Sequence, residues 1–169
     1  MKLFRLMALL LIGCQWHIAN AASPMAVLPQ YKMVDLGTLQ QQSPAMSWVF
    51  ANGLNQHGVV VGDSTRLPEH THAARWPAAE SQPEVVDDLG APIGAASSTA
   101  TAINDHGTIV GFATAGMDSP LIWSNPGGMQ TLGDLPGGGT SGRAMAINNA
   151  GVAVGVSTAS TGKRAFRWT

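Results

Sequence analysis

The chain has 169 residues, 45% of them hydrophobic and only 11% charged, with a net charge of −1. That length holds one domain with a real core, sparse charge with ample apolar content excludes intrinsic disorder, and near-neutrality leaves no electrostatic footprint for nucleic acid or an anionic membrane. With 20 Gly and 10 Pro set between short apolar runs, the chain reads as many short strands joined by turns.

The first element is a targeting segment. Residues 1–21 carry a basic start (Lys2, Arg5), an apolar run from Leu6 to Ile12, and a small-x-small site at Ala19-Asn20-Ala21, which predicts cleavage before Ala22. The run is too short, and too soon followed by small and polar residues, to span a membrane. The single cysteine, Cys14, ends a lipobox-like "LIGC". Lipidation there is the less favoured alternative, because it would leave an unusually short signal. Cleavage at Ala22 gives a cysteine-free product with 7 basic and 10 acidic side chains, net −3, destined for secretion or the cell envelope.

Residues 22–32 read as a linker, and three β repeats fill 33–169, at about 33–77, 85–125 and 129–169. Each unit opens on a Leu-Gly pair: Leu36-Gly37, Leu89-Gly90 and Leu132-Gly133. Each then has an Asn-x-x-Gly turn, at Asn55 to Gly58, Asn104 to Gly107 and Asn148 to Gly151, spaced 49 and 44 residues. A Val-Gly glycine follows at Gly62, Gly111 and Gly155, and a tryptophan closes each unit at Trp76, Trp123 and Trp168. Four anchors in one order, three times over, make these twelve turn, glycine and tryptophan positions structural repeat residues.

Local chemistry explains the order. "ATAIN" and "TIVGF" are β-prone runs, Asn104 forms an Asx-turn, and Gly107 takes the positive φ that the reversal needs. Gly111 inside a strand marks a bulge or a close approach. "LIWS" and "AFRW" read as a third strand whose Trp covers the adjacent unit, and "VDLGTL" with its equivalents as a fourth. Three or four strands per roughly 45 residues match the period of propeller blades. The fold class is therefore all-β, with blade-like repeats of β-propeller type. Propellers close with about four to eight blades, so three units imply a partial or open array. The chain stops directly after the third Trp strand, which implies a part of a longer protein, assembly with other copies, or an open three-unit array.

At these residues the sequence resembles the bacterial HAF-repeat family of extracellular repeat proteins. The matches are "DLGTL" at 35–39, "ATAINDHGTIVG" at 100–111, "AMAINNAGVAVGVS" at 144–157 and "AFRW" at 165–168. The His-Ala-Phe triplet is intact in none of the units, which read "HAARW", "SPLIW" and "RAFRW". The resemblance implies export and brings no catalytic mechanism.

Candidate chemistry is thin. Glu69, His70 and His72 are the sharpest metal candidates, but zinc needs three or four converging ligands and no sister unit keeps these residues. A solvated loop is the preferred reading, and no metal is assigned. His57 and His106 share a turn position where the third unit has Ala150, which suits an exposed tip. "INDHG" lacks the alternating oxygens of a calcium loop, and "PGGGTSG" at 136–142 lacks the Gly-Lys of a phosphate loop. Asp87 and Asp88 are adjacent, so on a strand they point to opposite faces and cannot flank one glycosidic bond. Asp35 and Asp88 are equivalent by repeat, which predicts a bond to a neighbouring backbone amide. No catalytic or cofactor-binding residue is assigned and no cofactor is expected. The expectation is an exported, non-enzymatic structural or interaction module. Its ligand is unidentified, a protein or a glycan, with self-association through open blade edges as a further expectation. The alternative is the N-terminal fragment of a propeller-type glycan hydrolase or lyase.

Overall fold

The computed structural model describes residues 31–39, 47–67, 70–78, 86–139 and 141–169. The chain divides into compact units Met1–Met33 and Val34–Thr169. The signal segment, Cys14, Glu69 and nearly all of the linker lie outside the described residues.

The second unit is all-β, with no helix among its described residues. Eleven strands follow in order: β1 (Val49–Leu54), β2 (Val60–Leu67), β3 (His70–Trp76), β4 (Asp87–Gly90), β5 (Ser97–Ile103), β6 (Ile109–Ala115), β7 (Met117–Ser124), β8 (Gly128–Thr131), β9 (Gly142–Ile147), β10 (Ala153–Ala159) and β11 (Gly162–Trp168). They form three antiparallel meanders, β1-β2-β3-β4, β5-β6-β7-β8 and β9-β10-β11. None of the three sheets is closed.

The Val-Gly glycine decides how each hairpin packs. The first pair of strands slips register at Ala51/Gly53, Ala100/Ala102 and Val154/Gly155. At that slip the carbonyl oxygens of Phe50, Thr99 and Arg143 press onto Gly62, Gly111 and Gly155, where any Cβ would overlap them. The bulge and the close approach expected at Gly111 are thus both present.

Period-two alternation then gives the middle sheet two buried faces. Ile109, Ala113, Leu121 and Trp123 join Val61 and Ala73 of the first sheet in one cluster, and the other face sends Val110 and Ile122 to Ala144 and Ala153 of the third. Trp123 covers the adjacent unit, as its sequence position predicts.

One assignment changes. The Leu-Gly pairs open the units in sequence, but in space they close the sheet before. Asp87–Gly90 pairs with β3 of the first sheet, and the Leu132 amide donates to the Pro120 carbonyl of β7 at 2.9 Å. The second and third Leu-Gly segments each turn back antiparallel beside the third strand that precedes them, so consecutive strands stay neighbours in a plain meander.

Candidate functional site

The repeat asparagines build a continuous ladder along one end of the three sheets. Within each turn the asparagine Oδ1 accepts two backbone amides: His57 and Val59 at Asn55, His106 and Thr108 at Asn104, Ala150 and Val152 at Asn148, all at 2.9–3.1 Å. This is the expected Asx geometry, and Gly107 holds the expected positive φ of +80°. The other end of the amide reaches sideways. Asn55 Nδ2 donates to the Asn104 carbonyl at 3.2 Å, and Asn104 Nδ2 to the Asn148 carbonyl at 3.0 Å.

The next residue repeats the lateral link. The Gln56 amide donates to Asp105 Oδ1 and the Asp105 amide to Asn149 Oδ1, each at 2.9 Å. Asn149 Nδ2 returns a bond to Asp105 Oδ2 at 2.7 Å. With both oxygens accepting, the Asp105 carboxyl sits below its ordinary value, the Gln56 amide contributing most. Three residues before Asn55 and Asn104, Asn52 Nδ2 donates to the Ala100 carbonyl at 3.0 Å and Thr101 Oγ1 to the Ala144 carbonyl at 2.8 Å.

The tryptophans and the Leu-Gly segments form a second set of links. Trp76 Nε1 donates to the Gly37 carbonyl at 3.2 Å and Trp123 Nε1 to the Leu89 carbonyl at 3.1 Å. Asp35 and Asp88 each accept the amide of the glycine two residues on, at 3.0 and 2.8 Å, which is the bond their equivalence predicts. Ser98 Oγ accepts the Ala73 amide and donates to the Gly90 carbonyl, tying the first two sheets together.

The histidine pair is not on a solvated loop. His70 and His72 lie in β3, both partly buried; the preferred loop reading fails because the strand extends to the hairpin tip. His72 Nδ1 lies 2.9 Å from Asp88 Oδ1, and Arg66 Nε donates to Asp88 Oδ2 at 2.6 Å. Burial pushes the Asp88 carboxyl up, but the Gly90 amide, His72 and Arg66 outweigh it and hold it below its ordinary value. His70 Nδ1 is buried without a hydrogen-bond partner among the described residues. No group of three or more His, Cys, Asp or Glu able to hold a metal occurs among the described residues.

Asp87 turns to the opposite side and pairs with Arg75 Nη2 at 2.6 Å, as adjacent strand residues must. Two clefts remain. One, of about 280 Å³, lies at the turns beside His57, Arg75, Asp105 and His106. The other, of about 310 Å³, is bounded by Asp118, Arg143, Ser157 and Lys163. In both, the carboxylates are already engaged: Asp105 in the ladder, and Asp118 with Arg143 at 2.6 Å and Thr114 at 2.8 Å. The arrangement links each repeat to the next.

No family model, curated protein or solved structure matches the chain. The lateral bonds are what sequence reasoning missed. The signal was present at positions 56, 105 and 149, where Gln, Asp and Asn all carry a side-chain acceptor.

Proposed function

We propose that this chain is an exported, non-enzymatic β-repeat protein of HAF type, with blade-like units of propeller kind, acting outside the cytoplasm as a structural or interaction module. The observation that carries this reading is the use made of the repeated residues. Asn, Gly, Asp and Trp are committed to turns, close approaches and links between sheets, and the acidic side chains beside the clefts are bound to neighbours. Such a chain extends and presents surface.

The test is a screen of the purified, processed protein against glycan-binding panels and hydrolase and lyase substrates. Binding without turnover is expected. Turnover abolished by one point substitution would overturn the reading in favour of a glycan-cleaving enzyme. Export is checked by the intact mass of the product: a start at Ala22 is expected, whereas acyl chains on Cys14 would place the protein at a membrane.

A further inference from the structure

Among the described residues, the first and third sheets leave complementary edges open. In the first two sheets the residue before Leu-Gly pairs with the residue two before the tryptophan: Asp88 with Ala74 and Thr131 with Leu121. Each such segment serves two sheets, pairing with one while offering a carbonyl or a core side chain to the next. Val34–Gly37 does only half of this. Its Gly37 carbonyl receives Trp76, and Asp35 makes its own turn, yet the segment lies in no sheet among the described residues. At the other end β11 is a sheet edge with no fourth strand beside it among the described residues.

The chemistry of the two edges matches. β11 carries Lys163, Arg164 and Arg167 with no acid. Arg164 pairs with Ser157 as His72 pairs with Ser64, so it holds the position from which His72 reaches Asp88. Asp35 is the repeat equivalent of Asp88.

The outer faces match as well. Val110 is fully buried by the third sheet, whereas its equivalent Val154 is 43% exposed; Ile103 is 8% exposed, whereas its equivalent Leu54 is 67% exposed. The ladder also has an unused end, for Asn148 Nδ2 finds no acceptor among the described residues although Asn55 and Asn104 do.

We propose that the partner is a second copy of this chain, bound head to tail. Val34–Gly37 of one copy becomes the fourth strand beside β11 of the other, with Asp35 opposite Phe166 and Val34 opposite Arg167, and the face bearing Leu54 covers the face bearing Val154. The contact is heterologous, so it closes into a ring or continues as a filament according to the rotation between copies. This rests on the repeat reading above, but its test is independent of any search for turnover. Trapping without turnover supports both, turnover with trapping overturns only the non-enzymatic reading, and failed trapping overturns only the assembly.

The test uses the full chain in a Cys14→Ser background. Val34→Cys and Arg167→Cys, made in separate copies and mixed under oxidising conditions, are expected to form a mixed disulfide, because paired strands bring their Cβ atoms within bonding reach. Val34→Cys mixed with Lys163→Cys, out of register, is expected to give little. Sedimentation of the unmodified protein should show mass rising with concentration in whole multiples of one chain. Val154→Glu, at an exposed site, should fold normally by circular dichroism and weaken that association by roughly tenfold or more. A single-chain mass at every concentration, or equal trapping by both cysteine pairs, overturns the proposal.

Discussion

Val110 and Val154 precede the same repeat glycine, in strands of the same length, yet one is fully buried and the other open to solvent. The middle sheet and the third sheet share a turn, a bulge and a closing tryptophan. They differ in what packs on them. The middle sheet lies between two neighbours and contributes to both apolar clusters, whereas the third contributes to one. Repeat sequence therefore sets the shape of each sheet, while burial, and with it most of the stability, comes from the neighbour. In quasi-one-dimensional arrays stability divides in this way into repeat and interface contributions.

The tryptophans give the largest test of that difference. Trp123 is 6% exposed and hydrogen-bonded, whereas Trp168 is 36% exposed. Trp123→Ala should cost about 3–5 kcal/mol, the range for truncating a buried aromatic, and Trp168→Ala less than about half of that. Urea unfolding of both variants decides it, and equal losses would break the contrast between middle and terminal sheets.

The bulge glycine comes next. Gly111→Ala drives a Cβ into the Thr99 carbonyl, and Gly155→Ala drives one into the Arg143 carbonyl and the Phe166 ring. Backbone cannot move aside as a flexible side chain can, so Gly111→Ala should cost about 2–3 kcal/mol. Gly155→Ala should cost less, because the third sheet can relax on its open face. A larger loss at Gly155 in thermal melts would show that the open face carries no slack.

Much of this was legible in the residues, and the remainder was hidden for physical reasons. Asn104 Oδ1, Gly107 and Gly111 act within their own hairpin, so local backbone chemistry is enough to read them. The pairing of Asp87–Gly90 with β3, and not with the unit it opens in sequence, is not legible because four residues carry no pattern that names a partner. Asn104 has two ends. Oδ1 serves its own turn and could be foreseen, whereas Nδ2 serves a carbonyl 44 residues away. The place of His72 in a strand is hidden from the sequence because its partner Asp88 lies 16 residues on, across β3 and β4.

Asn104 and Asn148 sharpen the comparison at the level of one hydrogen bond. Both hold their own turn, but only Asn104 donates sideways to a described carbonyl. Both alanine variants lose the two turn bonds, so the difference between them isolates the lateral bond. Asn104→Ala should cost about 0.5–1.5 kcal/mol more than Asn148→Ala, the net worth of one hydrogen bond. At the same turn, Gly107→Val should cost on the order of 1–3 kcal/mol through its positive φ alone, since no atom lies within 4 Å of the added Cβ. His106→Ala, at the exposed tip, should cost under about 0.5 kcal/mol. Equal losses at Gly107 and His106 would mean that His106 is held by something outside its own chain.

The smallest effects contrast two carboxylates within the first sheet, each within about 1 kcal/mol, the scale of a partly exposed ion pair. Asp88 sits below the ordinary 3.8 because burial, which would raise it, is outweighed by the Gly90 amide, His72 and Arg66. Its contribution is therefore present above pH 3.8 and lost as pH falls through the lower folded value. Asp63 is the reverse. Burial raises it above 3.8, against one bond from Asn52 at 3.1 Å, so the folded state is disfavoured as pH rises from 3.8 through the raised folded value. Its repeat equivalents are Phe112 and Val156, so nothing in the repeat pattern asks for a charge there. Asp88→Asn should therefore lose stability near neutrality and match the parent in strong acid. Asp63→Asn keeps an oxygen for Asn52 and sheds the buried charge, so it should gain stability near neutrality and lose that gain on acidification. Urea midpoints for the three proteins at low, intermediate and neutral pH read both slopes. Slopes of the same sign would mean that the Asp63 carboxylate is stabilised in the folded state by a neighbour other than Asn52.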